Sequence, residues 1–101
     1  MAEFIASLKP DEQAKIVRAI DLLEEFGPQI GMPYVRHLSG GLWELRVPFG
    51  GQSFRLLFFV EGNALVIVHA FSKKTPKTPL KELNTATTRM KDYKRRLGDT
   101  K

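Results

Sequence analysis

Gly50-Gly51 separates two runs, Leu42-Trp43-Glu44-Leu45-Arg46 continuing to Phe49 and Ser53-Phe54-Arg55-Leu56-Leu57-Phe58, whose residues suit strands. A two-residue Gly-Gly turn between such runs closes a β-hairpin, because glycine supplies the positive φ that tight hairpin turns require. Closing it pairs Phe49 with Gln52, and counting back sets Arg46 directly opposite Arg55. Like charges facing each other across a ladder repel. An anion such as a phosphate between them would account for the arrangement. Salt bridging to Glu44, with the aliphatic stems packed at the sheet edge, is the alternative.

The rest of the chain supplies what a hairpin needs to become a fold. Trp43, Leu45, Val47 and Phe49 alternate with Glu44 and Arg46, giving one apolar and one polar face. Phe54 to Val60 is apolar on both faces apart from Arg55, and Ala64 to Phe71 apart from His69. The turn at Glu61-Gly62-Asn63 leaves the register open. A three-residue loop sets His69 opposite Arg55, whereas a two-residue Gly62-Asn63 turn sends His69 to the helix-facing side. Ile16, Ala19, Ile20, Leu23 and Phe26 recur at helical spacing, with Pro10 at the first turn and Gly27-Pro28 at the end. Phe4, Ile5 and Leu8 predict a short preceding helix, making an N-terminal helical hairpin. Tyr34 to Leu38 reads as a short extended stretch. Ser72 to Pro79 reads as a stiff basic loop, with Thr78 capping a last helix. Leu80, Leu83, Ala86, Met90, Tyr93 and Leu97 form the buried stripe of that helix, and Gly98 stops it. The expected architecture is α+β: an N-terminal helical hairpin, an antiparallel β-meander of three to four strands and a C-terminal helix, with the helices on one sheet face.

At 101 residues the chain is expected to be one domain, residues 1–101. It has no cysteine, which excludes disulfides, a thiol nucleophile and a thiolate metal site, and fits a reducing cytoplasm. The longest apolar stretch, Leu56 to Val60, is too short to span a bilayer, and no leader-like segment precedes Phe4, so no membrane partner is expected. The net charge of +5 is unevenly spread. Residues 1–72 hold six Lys/Arg against eight Asp/Glu, a net of −2; residues 73–101 hold ten against three, a net of +7. A basic end of this kind suits a polyanion such as RNA, or else serves as a solvated helix face.

These residues suit RNA cleavage by attack of a 2′-OH on its own phosphate. That reaction needs a base for the hydroxyl proton, cations for the charge on the phosphorane, and an acid for the departing 5′-oxygen. Arg46 and Arg55 fit the second task, since the guanidinium fork matches phosphate oxygens and stays charged. Lys73 and Lys74 follow the third long strand, and clustered cations lower one another's pKa, which would let a lysine act as base or acid near neutral pH. Glu44 would orient the arginines, and Arg36 would extend the phosphate-binding surface. His37 and His69 are supporting candidates or structural residues. Lys77, Arg89, Lys91, Lys94, Arg95 and Arg96 are candidates for contact with a polyanion such as RNA, or form a solvated helix face. Two histidines without cysteine predict no metal site, and no cofactor is expected. Arg55→Ala is expected to end activity and spare the fold.

The strings W-E-L-R at Trp43 to Arg46, F-R-L-L-F-F at Phe54 to Phe59, and H-A-F-S-K-K-T-P-K-T-P at His69 to Pro79, followed by a helix, resemble the RelE/ParE superfamily of type II toxins, and within it the HigB-like, phage Gp49-like branch. The resemblance runs from Glu3 to Tyr93. It implies a RelE-like fold, a metal-independent, ribosome-dependent mRNA endoribonuclease, and a HigA-like antitoxin with a helix-turn-helix domain. By the same resemblance Arg46 falls where RelE-type toxins carry a catalytic lysine, Arg55 and Lys74 where they carry phosphate-binding arginines, and Lys73 beside them. A base-stacking tyrosine of those toxins has no match, Leu80 being nearest. The family usually opens with a β-strand, which would already have ended where this sequence begins. The competing readings are a ParE-like gyrase inhibitor without nuclease activity and an inactive relic that binds only its antitoxin.

Overall fold

The computed structural model describes residues 6–27, 35–38, 40–62, 64–73 and 78–99. Helix α1 (Pro10–Phe26) is followed by strands β1 (Val35–His37), β2 (Trp43–Phe49), β3 (Gln52–Glu61) and β4 (Ala64–Lys73), and then by helix α2 (Leu80–Asp99). The strands form one antiparallel sheet in the order β1-β2-β3-β4. The architecture is α+β, as expected. The short first helix expected over Phe4 and Ile5 lies outside the described residues, although Leu8 packs against the core beneath α1. No helix among the described residues is long and apolar enough to cross a membrane.

Local chemistry sets the ends of α1. The Lys9 N–H donates to Glu12 Oε1 at 2.9 Å, satisfying a donor at the helix start, and Pro10 occupies the first turn, where its missing N–H costs nothing. Gly27 ends the helix at φ 73°, and its N–H donates to the Leu23 carbonyl at 2.7 Å. A side chain there would be strained. Helix α2 continues through Gly98 to Asp99 and is not stopped there, because one glycine costs a helix only about 1 kcal/mol.

The two helices lie on opposite faces of the sheet, not on one. The cause is β3, where all six residues from Phe54 to Phe59 are buried. Its alternating side chains supply both faces. Phe54, Leu56 and Phe58 pack with Val35, Leu45 and Val47 against Ile16 and Leu23 of α1, whereas Leu57 and Phe59 pack with Leu42 and Phe71 against Ala86 and Met90 of α2. A strand apolar on both sides must be covered on both, since burying each such side chain contributes about 1.5–3 kcal/mol. The edges of the expected stripes stay open: Phe26 is 51% exposed and Leu80 70%.

The Gly50-Gly51 hairpin pairs Phe49 with Gln52 and Arg46 with Arg55, as the sequence predicts. Gly50 has φ 62°, which a type II′ turn requires at its first central position. The second hairpin is tight, with Glu61 opposite Ala64, yet His69 does not take the face that this turn alone would give it. Phe58 pairs with Ile67 and Leu57 with His69, so β4 carries one extra residue, Val68, in a bulge that restores the face. The basic segment also starts later than expected, because β4 runs through Ser72 to Lys73. Lys74 and Lys77 lie outside the described residues.

Candidate active site

On the sheet face against which α2 packs, the register lays the polar residues in rows. One row runs Arg36, Glu44, Leu57, His69; the next runs Arg46, Arg55, Phe71; a third holds Pro48 and Ser53. Period-two alternation gives each strand only every second residue for this face, which is why Glu44, Arg46, Ser53 and Arg55 share it. Sequence pattern and structure agree on this face.

Glu44 is the centre of the arrangement, and salt bridging to it, the alternative to an intervening anion, is what the structure shows for the facing Arg46 and Arg55. Its side chain is 1% exposed, and three guanidiniums converge on it: Arg46 Nη2 at 3.2 Å from Oε1, Arg36 Nη2 at 3.8 Å from Oε1, and Arg55 Nη1 at 3.9 Å from Oε2. The Thr78 hydroxyl, expected at the cap of α2, donates to Glu44 Oε2 at 2.5 Å and accepts from Arg36 Nη2 at 3.2 Å. A carboxylate this far from water is tolerable only when paired and hydrogen-bonded. The two oxygens divide the work, Oε1 serving Arg46 and Arg36, and Oε2 serving Thr78 and Arg55.

The arginines differ in access. Arg36 and Arg46 have side chains 39% and 23% exposed, whereas Arg55 is 1% exposed, with its Nε donating to Ser53 Oγ at 3.3 Å. Burial draws the Arg55 guanidinium below its ordinary value; Glu44 opposes this, and the charges of Arg46 and Arg36 add to it. It still carries its charge at any ordinary pH. Arg46 also forms part of the wall of a cleft of about 610 Å³ between α1 and β2, together with Lys15, Arg18, Leu22 and Pro48.

The remaining candidates scatter. Lys73 stands opposite Ser53, one row from Arg55. His37 is exposed on the other face of the sheet, its ring edge against Trp43 with centroids 4.8 Å apart, so the fold does not bring it to the arginines. His69 bridges β4 to α2: Nε2 lies 3.1 Å from Glu82 Oε2 and Nδ1 lies 3.2 Å from Arg89 Nη1. Both ring nitrogens are engaged, the natural assignment being a neutral ring that donates to Glu82 and accepts from Arg89. Arg89 also donates to the Val68 carbonyl at 2.9 Å, which anchors α2 to the bulge. Lys91, Lys94, Arg95 and Arg96 are exposed on α2; Arg95 and Arg96 share Asp92, and Lys94 Nζ sits 5.3 Å from the centre of the Phe59 ring. Among the described residues no three His, Cys, Asp or Glu side chains gather to hold a metal ion. Sequence reasoning missed Thr78 and Glu82 as partners. The signal for Thr78 was Glu44 itself, an acid on a strand among arginines, which needs a hydrogen-bond donor once buried.

The family model for phage-derived Gp49-like proteins matches residues 3–91. Two curated relatives, both named "Probable endoribonuclease HigB1" and coming from Mycobacterium tuberculosis strains CDC 1551 / Oshkosh and ATCC 25618 / H37Rv, are each 39% identical to this chain over 66 residues. Those residues are 65% of this chain and 53% of each relative, so the match spans about half the length of the relatives. With a family match across every strand of the sheet and its arginine face, the chain belongs to the phage-derived Gp49-like family.

Proposed function

We propose that the chain is the toxin of a type II toxin–antitoxin pair, an endoribonuclease that cuts mRNA on the ribosome. The observation that carries this reading is the convergence of Arg36, Arg46 and Arg55 on one face around a single buried carboxylate. The name of the relatives supports the reaction class. In the proposed reaction a base removes the 2′-OH proton, the 2′-oxygen bonds to phosphorus, the bond from phosphorus to the 5′-oxygen breaks, and an acid returns a proton to that oxygen. The products are a 2′,3′-cyclic phosphate and a 5′-OH. Arg46 and Arg36, which reach solvent, hold the non-bridging oxygens, and Arg55 adds its field from beneath, where water screens it least. Lys73 and Lys74 are assigned the proton transfers. Lys77, Lys91, Lys94, Arg95 and Arg96 are assigned to ribosomal RNA. The partner is a HigA-like helix-turn-helix antitoxin, and the site of action is the cytoplasm, where ribosomes are. No metal is required, because a 2′-OH nucleophile needs no metal-activated water and three arginines repel a divalent ion.

Primer extension on a reporter mRNA after brief induction tests this. The expected result is cleavage at in-frame codon positions, reproduced with purified protein on programmed ribosomes and unchanged by a chelator of transition metals that leaves Mg²⁺ in place. Growth arrest without mRNA cuts, accompanied by gyrase-linked DNA breaks, would replace this function with the gyrase-inhibiting one. Activity restored by Zn²⁺ or Mn²⁺ after chelation would remove the metal-free mechanism.

A further inference from the structure

We infer that Thr78 is a positioning residue for the proposed cleavage, a latch that sets how Glu44 distributes its two oxygens among the arginines; the inference rests on the function proposed above. Thr78 lies just before α2, a helix packed over β3 and β4, yet its hydroxyl reaches across to β2 and β1. It donates to Glu44 Oε2 at 2.5 Å and accepts from Arg36 Nη2 at 3.2 Å, residues 34 and 42 positions away in sequence. A hydroxyl is suited to this place because it is donor and acceptor at once. An ammonium could only donate and a carboxylate only accept.

The consequence is geometric. With Oε2 held by Thr78, Oε1 is left to face Arg46 and Arg36, the two arginines that reach solvent. Without the hydroxyl, Oε2 keeps only the Arg55 contact at 3.9 Å, and the carboxylate is less firmly held about its last torsion, a broad and roughly two-fold rotation. Arg36 loses an acceptor in the same step. A misplacement of reacting groups by about 1 Å can cost about 100-fold in rate even where nothing in direct contact with substrate has changed.

Thr78→Val keeps the shape and removes the hydroxyl; Thr78→Ser keeps the hydroxyl. Two measurements separate the latch from the function it rests on. In ¹H–¹⁵N spectra of the guanidinium Nε–H groups, Thr78→Val should shift or broaden Arg36 and Arg46 while the β3 backbone amides stay in place, and Thr78→Ser should restore them. Unmoved arginine signals overturn the latch, whatever the enzyme does. In single-turnover cleavage on programmed ribosomes, Thr78→Val should lower kcat by about 10–100-fold with KM within about threefold of wild type, and Thr78→Ser should recover most of the loss. A purely structural role would reduce the folded fraction and leave kcat per folded molecule unchanged, and that result overturns the positioning role. Wild-type protein that cuts no RNA in the same assay overturns the proposed function and with it the part of Thr78 in the reaction, while the spectra still decide the latch itself.

Discussion

Glu44→Ala is expected to lower the free energy of unfolding by about 3–5 kcal/mol, the usual cost of breaking a buried ion pair from one side. The carboxylate is 1% exposed and holds Arg36, Arg46, Arg55 and Thr78. Its removal takes from Arg55, which is equally buried, its opposite charge and leaves that guanidinium next to two other cations. Much of the stability of a domain this size is at stake, since native proteins hold only about 5–15 kcal/mol in all. Urea denaturation followed by tryptophan fluorescence reads the loss, Trp43 being the single tryptophan. Glu44→Gln should fall between, because the amide oxygen still accepts hydrogen bonds while the charge is gone. A Glu44→Ala protein within about 0.5 kcal/mol of wild type would mean that the arginine face does not depend on this carboxylate.

Arg55 should show the second large effect, and its burial changes what the experiment must control. The sequence alone makes Arg55 look removable without harm to the fold; at 1% side-chain exposure opposite Arg46, it is not. Arg55→Met fills the space with apolar volume and is expected to slow cleavage about 10²–10³-fold, the loss of about 2.7–4 kcal/mol of transition-state stabilisation seen when one oriented donor is removed. The double variant Glu44→Leu with Arg55→Met distinguishes catalysis from folding. Replacing both partners of a buried pair by apolar residues is often neutral for stability, so the double variant should regain much of what Glu44→Leu alone loses, and no activity. If cleavage returned together with stability, Arg55 would be a fold residue only.

Much of this face is legible in the sequence. Gly50-Gly51 fixes the β2–β3 register by counting, and period-two alternation then places Glu44, Arg46 and Arg55 together. What escaped was of three physical kinds. Which face each helix covers depends on β3 being apolar on both sides, a pattern that asks for cover on both without saying which helix supplies it. The place of His69 depends on a bulge, and no local signal in Ala64 to Phe71 announces that Val68 will be skipped in the pairing. Thr78 reads in the sequence as a helix cap, but the helix begins only at Leu80 and the hydroxyl goes to a buried acid that only the fold brings within its reach. Local chemistry was readable at each point; long-range pairing of side chains was not.

The bulge at Val68 has a consequence for how such a chain can change over time. A three-residue turn with no bulge and a two-residue turn with one bulge both return β4 to the sheet with Phe71 on the arginine side, because only odd or even offset matters for facing. The length of the Glu61–Ala64 connection is therefore free to drift by one residue between relatives if a compensating insertion or deletion arises in the strand. A lone insertion or deletion in either place inverts the arginine-side half of the strand. What descent must conserve here is a parity, carried jointly by two segments whose individual sequences are each free to vary.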